Sequence, residues 1–153
     1  MTSEPTTNPI PIACDMTDAP DTVEERMAEY GRLFAQALTG REWTDEGVRL
    51  RFRAHDGIEA WIRDLSVREK ACCPFFDFAI STANGEVRWD ISVVANVADE
   101  QLARTLLNEY FSAPETVAAG VAGMQARFNE RGLPITTNPS GTVMQFNWKG
   151  EEA

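Results

Sequence analysis

Asn84-Gly85 constrains the fold of this chain more than any other two residues. The pair suits the centre of a type I′ turn, where both central positions need positive φ and the twist matches that of paired strands. Alternating stretches flank it. A two-residue loop sets Ala83 opposite Glu86, and counting outward sets Ile80 opposite Trp89, Phe78 opposite Ile91 and Phe76 opposite Val93. These three apolar pairs share one face, and a one-residue slip would break the agreement. The other face carries Asp77, Arg88, Asp90 and Ser92.

Residues 10–16 read as a short strand with Ile12, Cys14 and Met16 on one face, and Pro11 places it at a sheet edge or a strand start. Asp21 and Glu24 form a capping box. Val23, Met27, Tyr30, Phe34 and Leu38 follow at helical spacing, and Gly40 supplies the stop. Residues 48–53 alternate strictly, with Val48, Leu50 and Phe52 opposed to Arg49, Arg51 and Arg53. Asp56 and Glu59 make a second capping box. The helix they open carries Ile58, Trp61, Ile62, Leu65 and Cys72 on one stripe and ends at Cys73, because a residue before proline is pushed out of the helical region. A third helix spans about residues 98–111. Ser112 and Glu115 then cap a fourth, running to Arg131 with Gly132 as its C-terminal cap. Asn138-Pro139-Ser140-Gly141 is a type I turn joining two closing strands.

The resulting order, β-α-β-α-β-β-α-α-β-β, predicts an α+β fold: an antiparallel or mixed sheet with helices packed mainly on one face. Residues 1–9 read as a disordered tail and residues 10–149 as one α+β domain, within which 113–149 is a candidate subdomain. Residues 150–153 read as a loose tail.

With 153 residues, the chain can bury a core without a disulfide or metal. Its net charge of -10 repels phosphate backbones and anionic membrane surfaces, so neither nucleic acid nor membrane is an expected partner. No apolar run is long enough for a membrane span, and the polar N-terminus lacks the features of a signal peptide. A cytoplasmic location follows as the expectation. There the three cysteines would be reduced, and their odd number speaks against a closed disulfide framework.

The vicinal pair Cys72-Cys73 is the leading chemical candidate. Thiolates bind soft metals such as zinc, copper(I) and mercury. Cys14 is the candidate third ligand, because it lies on the inward face of the first strand and Cys72 on the inward face of the second helix. Trigonal thiolate coordination would suit a large soft ion. Glu69 and Asp77 are the candidate residues just behind the sulfurs. A closed zinc site is not expected, since the C-x₂-C spacing is absent and the single histidine, His55, is remote in sequence. Arg68 and Lys70 would lower a nearby thiol pKa, whereas Glu69 and the negative end of the helix would raise it. The competing reading, favoured by the apolar setting, is that the cysteines fill the core.

Arg49, Arg51 and Arg53 form a second candidate, a face for an anionic ligand or partner. Pairing with Asp77 and Asp90 across the sheet is the alternative. The sequence has no nucleophile elbow, zinc-protease helix, dinucleotide loop or phosphate loop, and it designates no catalytic residue. Trp43 and Trp148 are candidate contact residues.

Three functional readings remain open. One is a thiol-based binder of a soft metal ion. Another is an interaction or dimerisation module, with a second copy of the chain as candidate partner. The third is a cysteine enzyme drawing its base from His55, Glu69 or Asp77. The small-molecule ligand is not specified.

A cysteine in the first strand (Ile12-Ala13-Cys14), the helix end Arg68-Glu69-Lys70-Ala71-Cys72-Cys73-Pro74-Phe75-Phe76-Asp77-Phe78 and the short hairpin together resemble a group of small bacterial proteins without assigned activity. The likeness covers about residues 12–109. It implies a shared fold and no particular reaction; similar segments lie near heavy-metal response genes, which favours the metal reading.

Overall fold

The computed structural model describes residues 9–146. Residues 1–8 of the expected N-terminal tail (1–9), the whole expected C-terminal tail (150–153) and Trp148 lie outside those residues. The hairpin forms in the expected register. Strands β4 (Phe76–Ala83) and β5 (Glu86–Val93) pair Phe76 with Val93, Phe78 with Ile91, Ile80 with Trp89 and Ala83 with Glu86. Asn84 and Gly85 both take positive φ, 55° and 74°.

Strand β3 (Gly47–Arg53) lies beside β5, and β2 (Leu38–Trp43) completes an antiparallel four-stranded sheet in the order β2-β3-β5-β4. Val48, Leu50, Phe52, Val87, Trp89 and Ile91 are buried on its inner face. Helices α1 (Val23–Ala37), α2 (Ile58–Cys72) and α3 (Glu100–Phe111) pack against the sheet. The outer face is charged. Arg49 grips Asp90 through two bonds of 2.8 and 3.0 Å, and Arg51 pairs with Glu42 at 2.5 Å. The arginine row is thus largely matched within the sheet, while Asp77 pairs with Lys70 at 3.1 Å instead. Gly47 is required where β3 meets β5, because a Cβ there would stand 2.0 Å from the Ile91 carbonyl oxygen.

Strand β2 was not expected. Gly40 was read as the stop of α1, but the helix ends at Ala37, Leu38 turns extended and Gly40 sits inside the strand. The N-terminal cap of α1 is Thr22 with Glu25, one residue later than expected. Asp21 is unavailable for capping because its carboxylate is held by Arg26. Likewise α2 starts from Gly57 at φ 85° with no side-chain cap. Glu59, expected in a capping box, instead receives bonds from Arg63 and Thr82.

The predicted fourth helix is two, α4 (Ala113–Ala118) and α5 (Gly120–Glu130), because Gly120 takes φ 77° and turns the chain. Gly132 closes α5 as expected. Its N–H bonds to Asn129 and the Leu133 N–H bonds back to Phe128, which is the Schellman pattern.

Strands β6 (Ile135–Thr137) and β7 (Val143–Phe146) form the closing hairpin over the Asn138–Gly141 turn. Strand β7 also pairs antiparallel with β1 (Ala13–Asp15), giving a second sheet in the order β1-β7-β6 with β1 at its edge. Helices α4 and α5 pack on α1. No helix among the described residues is long and apolar enough to cross a membrane.

Candidate functional site

Alternation along β1 turns Ile12, Cys14 and Met16 inward, and all three are buried. The last turn of α2 supplies Glu69 and Cys72, three residues apart on one face. Cys73 follows as the C-cap, its N–H still bonded to the Glu69 carbonyl and its φ of -124° already non-helical ahead of Pro74. These two segments meet so closely that Cys14 and Cys73 are disulfide-bonded, with Cα atoms 4.6 Å apart at a sequence separation of 59. The Cys72 sulfur lies 3.5 Å from that of Cys73. The three cysteines therefore converge, as the strand and helix patterns implied, but not as three reduced thiols. The expectation of an unpaired set is corrected. Strand pairing of β1 with β7 and the breaking of α2 at Pro74 bring Cys14 and Cys73 into bonding range.

Arg26 stands over this cluster. It is 4% exposed and comes from α1. Its guanidinium donates to Asp21 at 2.6 and 2.7 Å, to Glu69 at 2.8 Å and to the Cys72 sulfur at 3.7 Å. Burial works against its charge, but the two carboxylates more than offset that and raise its pKa. The Arg26 hydrogen bond holds Asp21 below the ordinary carboxylate value. Glu69, 7% exposed, also accepts a hydrogen bond from the Tyr110 hydroxyl. Burial, then the Glu69 charge, pushes the Tyr110 hydroxyl pKa well up. The Tyr30 hydroxyl is shifted the same way by the same causes; it faces Glu69 but falls short of hydrogen-bond geometry to any group.

The Cys72 thiol is pushed up to about 12, by burial first and the Glu69 charge second, with Arg26 opposing. It is a protonated thiol at neutral pH and a weak nucleophile. Neither basic neighbour in sequence tunes it by direct bonding. Lys70 caps the helix end through the Pro74 and Phe76 carbonyls, and Arg68 is bound to Asp21, Glu29 and Asp64.

The sulfurs, Arg26, Glu69 and both tyrosines border one cavity of about 160 Å³. The rest of its wall is mostly hydrocarbon and thioether, with Glu109 and Thr116 as polar members, and comes largely from α1, α3, α4, α5 and β7. No family model matches the chain, and neither a curated protein nor a solved structure does.

Glu69 is thus the charged residue foreseen from sequence that stands at the sulfurs, whereas Asp77 is exposed and paired with Lys70. His55 is exposed ahead of α2, a helix length of about 22 Å from the cysteines. Arg49 and Arg51 belong to the outer face of the sheet, and Arg53 is exposed. Arg26, Tyr30 and Tyr110 were not singled out. The available signal was Arg26 lying four residues before Tyr30, on the stripe that also holds Leu33 and Ala37. A cation on the buried side of a helix calls for a buried partner. Among the described residues no group of three or more His, Cys, Asp or Glu side chains is arranged to hold a metal ion. With Cys14 bonded to Cys73, Cys72 is the free thiol.

Proposed function

We propose that the reduced protein binds soft, thiophilic metal ions through Cys14, Cys72 and Cys73, and that the Cys14–Cys73 disulfide is its oxidised, metal-free state. The observation that carries this reading is the meeting of three sulfurs from two distant segments at one wall of a cavity, beside a buried arginine. Reduction would leave three thiols, with Cys73 next to both Cys14 and Cys72. Exchanging their three protons for a divalent ion leaves one net negative charge, and the Arg26 guanidinium, which also holds Asp21 and Glu69, lies 3.7 Å from Cys72. Three sulfurs favour mercury or copper(I) over zinc, whose structural sites need a fourth ligand. Glu69 is a poor fourth ligand because Arg26 and Tyr110 occupy its oxygens.

The test is titration of the fully reduced chain with mercuric, cuprous, cadmium and zinc ions, read by thiolate-to-metal charge-transfer absorbance. A break at one equivalent is expected, lost or weakened in Cys72→Ser and in Cys14→Ser. Absence of that absorbance for every ion, with all three thiols still free to react, removes the reading.

A further inference from the structure

We propose that the ligand is an organometal cation: a soft metal ion carrying one apolar organic group about the size of a phenyl ring. The proposal rests on the soft-metal reading of the three cysteines and specifies what that site takes. The cavity beside the sulfurs has about 160 Å³, and Phe75, Phe76, Leu106, Val117, Met124 and Phe128 are among the residues that line it. Apolar cavities near this volume stay dry and accept benzene. A bare metal ion would leave such a space unused, because hydrocarbon walls neither coordinate nor hydrate it.

An organometal cation uses both halves. Its metal bonds to sulfur, each new metal–sulfur bond replacing an S–H bond whose proton leaves to solvent. Its hydrocarbon enters the aromatic and methionine-lined space. A singly charged cation held by two thiolates leaves one negative charge beside the Arg26 guanidinium, which also holds Asp21 and Glu69. Phe75 and Phe76 directly follow the cysteines across Pro74, so the chain that brings the sulfurs also brings aromatic walls.

The experiment loads the reduced full chain with one equivalent of phenylmercuric, methylmercuric or inorganic mercuric ion. Each complex is then challenged with rising glutathione, and retention is read by native mass spectrometry. The competing thiol cancels the metal–sulfur bond common to both organic ions, so their ratio reports the pocket. The phenyl compound is expected to withstand about 10- to 100-fold more glutathione than the methyl compound, as burial of a phenyl-sized group implies. Val117→Phe, and independently Met124→Phe, should fill the cavity and erase that ratio while inorganic mercury is still held. A circular dichroism spectrum and urea midpoint matching those of the unaltered chain certify that each variant is folded. Equal retention of phenyl and methyl compounds by the unaltered chain, with inorganic mercury bound, overturns the inference and leaves the soft-metal reading standing. So does a phenyl advantage that survives both filling variants. Retention of none of the three removes both.

Discussion

Replacing Arg26 with methionine tests the electrostatic account of the site. The side chain is buried and its guanidinium joins Asp21 and Glu69. Without it, Asp21 keeps Arg68 at 3.0 Å, but Glu69 retains only the Tyr110 hydroxyl. Removing one partner of a buried ion pair costs about 3–5 kcal/mol, because the surviving charge is left uncompensated. With a urea m-value of about 2 kcal/mol/M, the unfolding midpoint should fall by about 1.5–2.5 M. The decisive comparison is the double variant Arg26→Met/Glu69→Leu. Taking out both charges removes the penalty, so its stability should return to within about 1 kcal/mol of the parent or exceed it. Equilibrium urea unfolding of the oxidised chain, followed by tryptophan fluorescence, provides the assay. A double variant as unstable as Arg26→Met alone would show that packing of the arginine, not pairing of its charge, is what the fold requires.

Three further outcomes are expected. Reducing the Cys14–Cys73 bond releases a constraint across 59 residues, which loop-closure entropy values at about 4 kcal/mol; urea unfolding with and without reductant measures it, and a change below about 1 kcal/mol would contradict a bond formed in the folded chain. Burial of Cys72 lifts its thiol from 9.0 to about 12, so at pH 8 its alkylation in the folded chain should be about 1000-fold slower than that of an exposed thiol, as followed by mass spectrometry. The linkage has a definite sign: both states hold this proton below pH 9, whereas above it the unfolded chain releases the proton that the folded chain retains, so stability is lost as pH rises towards 12. Gly47→Ala forces a Cβ to 2.0 Å from the Ile91 carbonyl oxygen, which must part β3 from β5 and should cost about 3 kcal/mol or more in thermal or urea unfolding.

What could be read from sequence was local. The β4–β5 register follows from a two-residue turn and a period of two, both contained within 18 residues (76–93). The inward set Ile12, Cys14 and Met16 follows from the same alternation. Strand β2 escaped notice because Leu38, Thr39, Gly40, Arg41, Glu42 and Trp43 do not alternate, and a glycine after a helical stripe resembles a terminator. The capping boxes of α1 and α2 were misplaced because their carboxylates found better partners elsewhere, Arg26 for Asp21 and Arg63 with Thr82 for Glu59. At the site, convergence of Cys14 with Cys72 and Cys73 was foreseeable once strand and helix were assumed to pack. The polar arrangement was not, since Arg26 meets Glu69 across 43 residues and Tyr110 meets it across 41. No short-range pattern encodes such pairings.

The break between α3 and α4 at Ser112 separates two jobs along the chain. Sulfur and charge come from the first half, through Cys14, Arg26, Glu69, Cys72 and Cys73, whereas much of the cavity's contour comes from α4, α5 and β7. A substitution in those later segments would reshape what fits while leaving the reactive groups untouched. On the proposed reading, the breadth of compounds accepted could therefore drift independently of the chemistry that captures them.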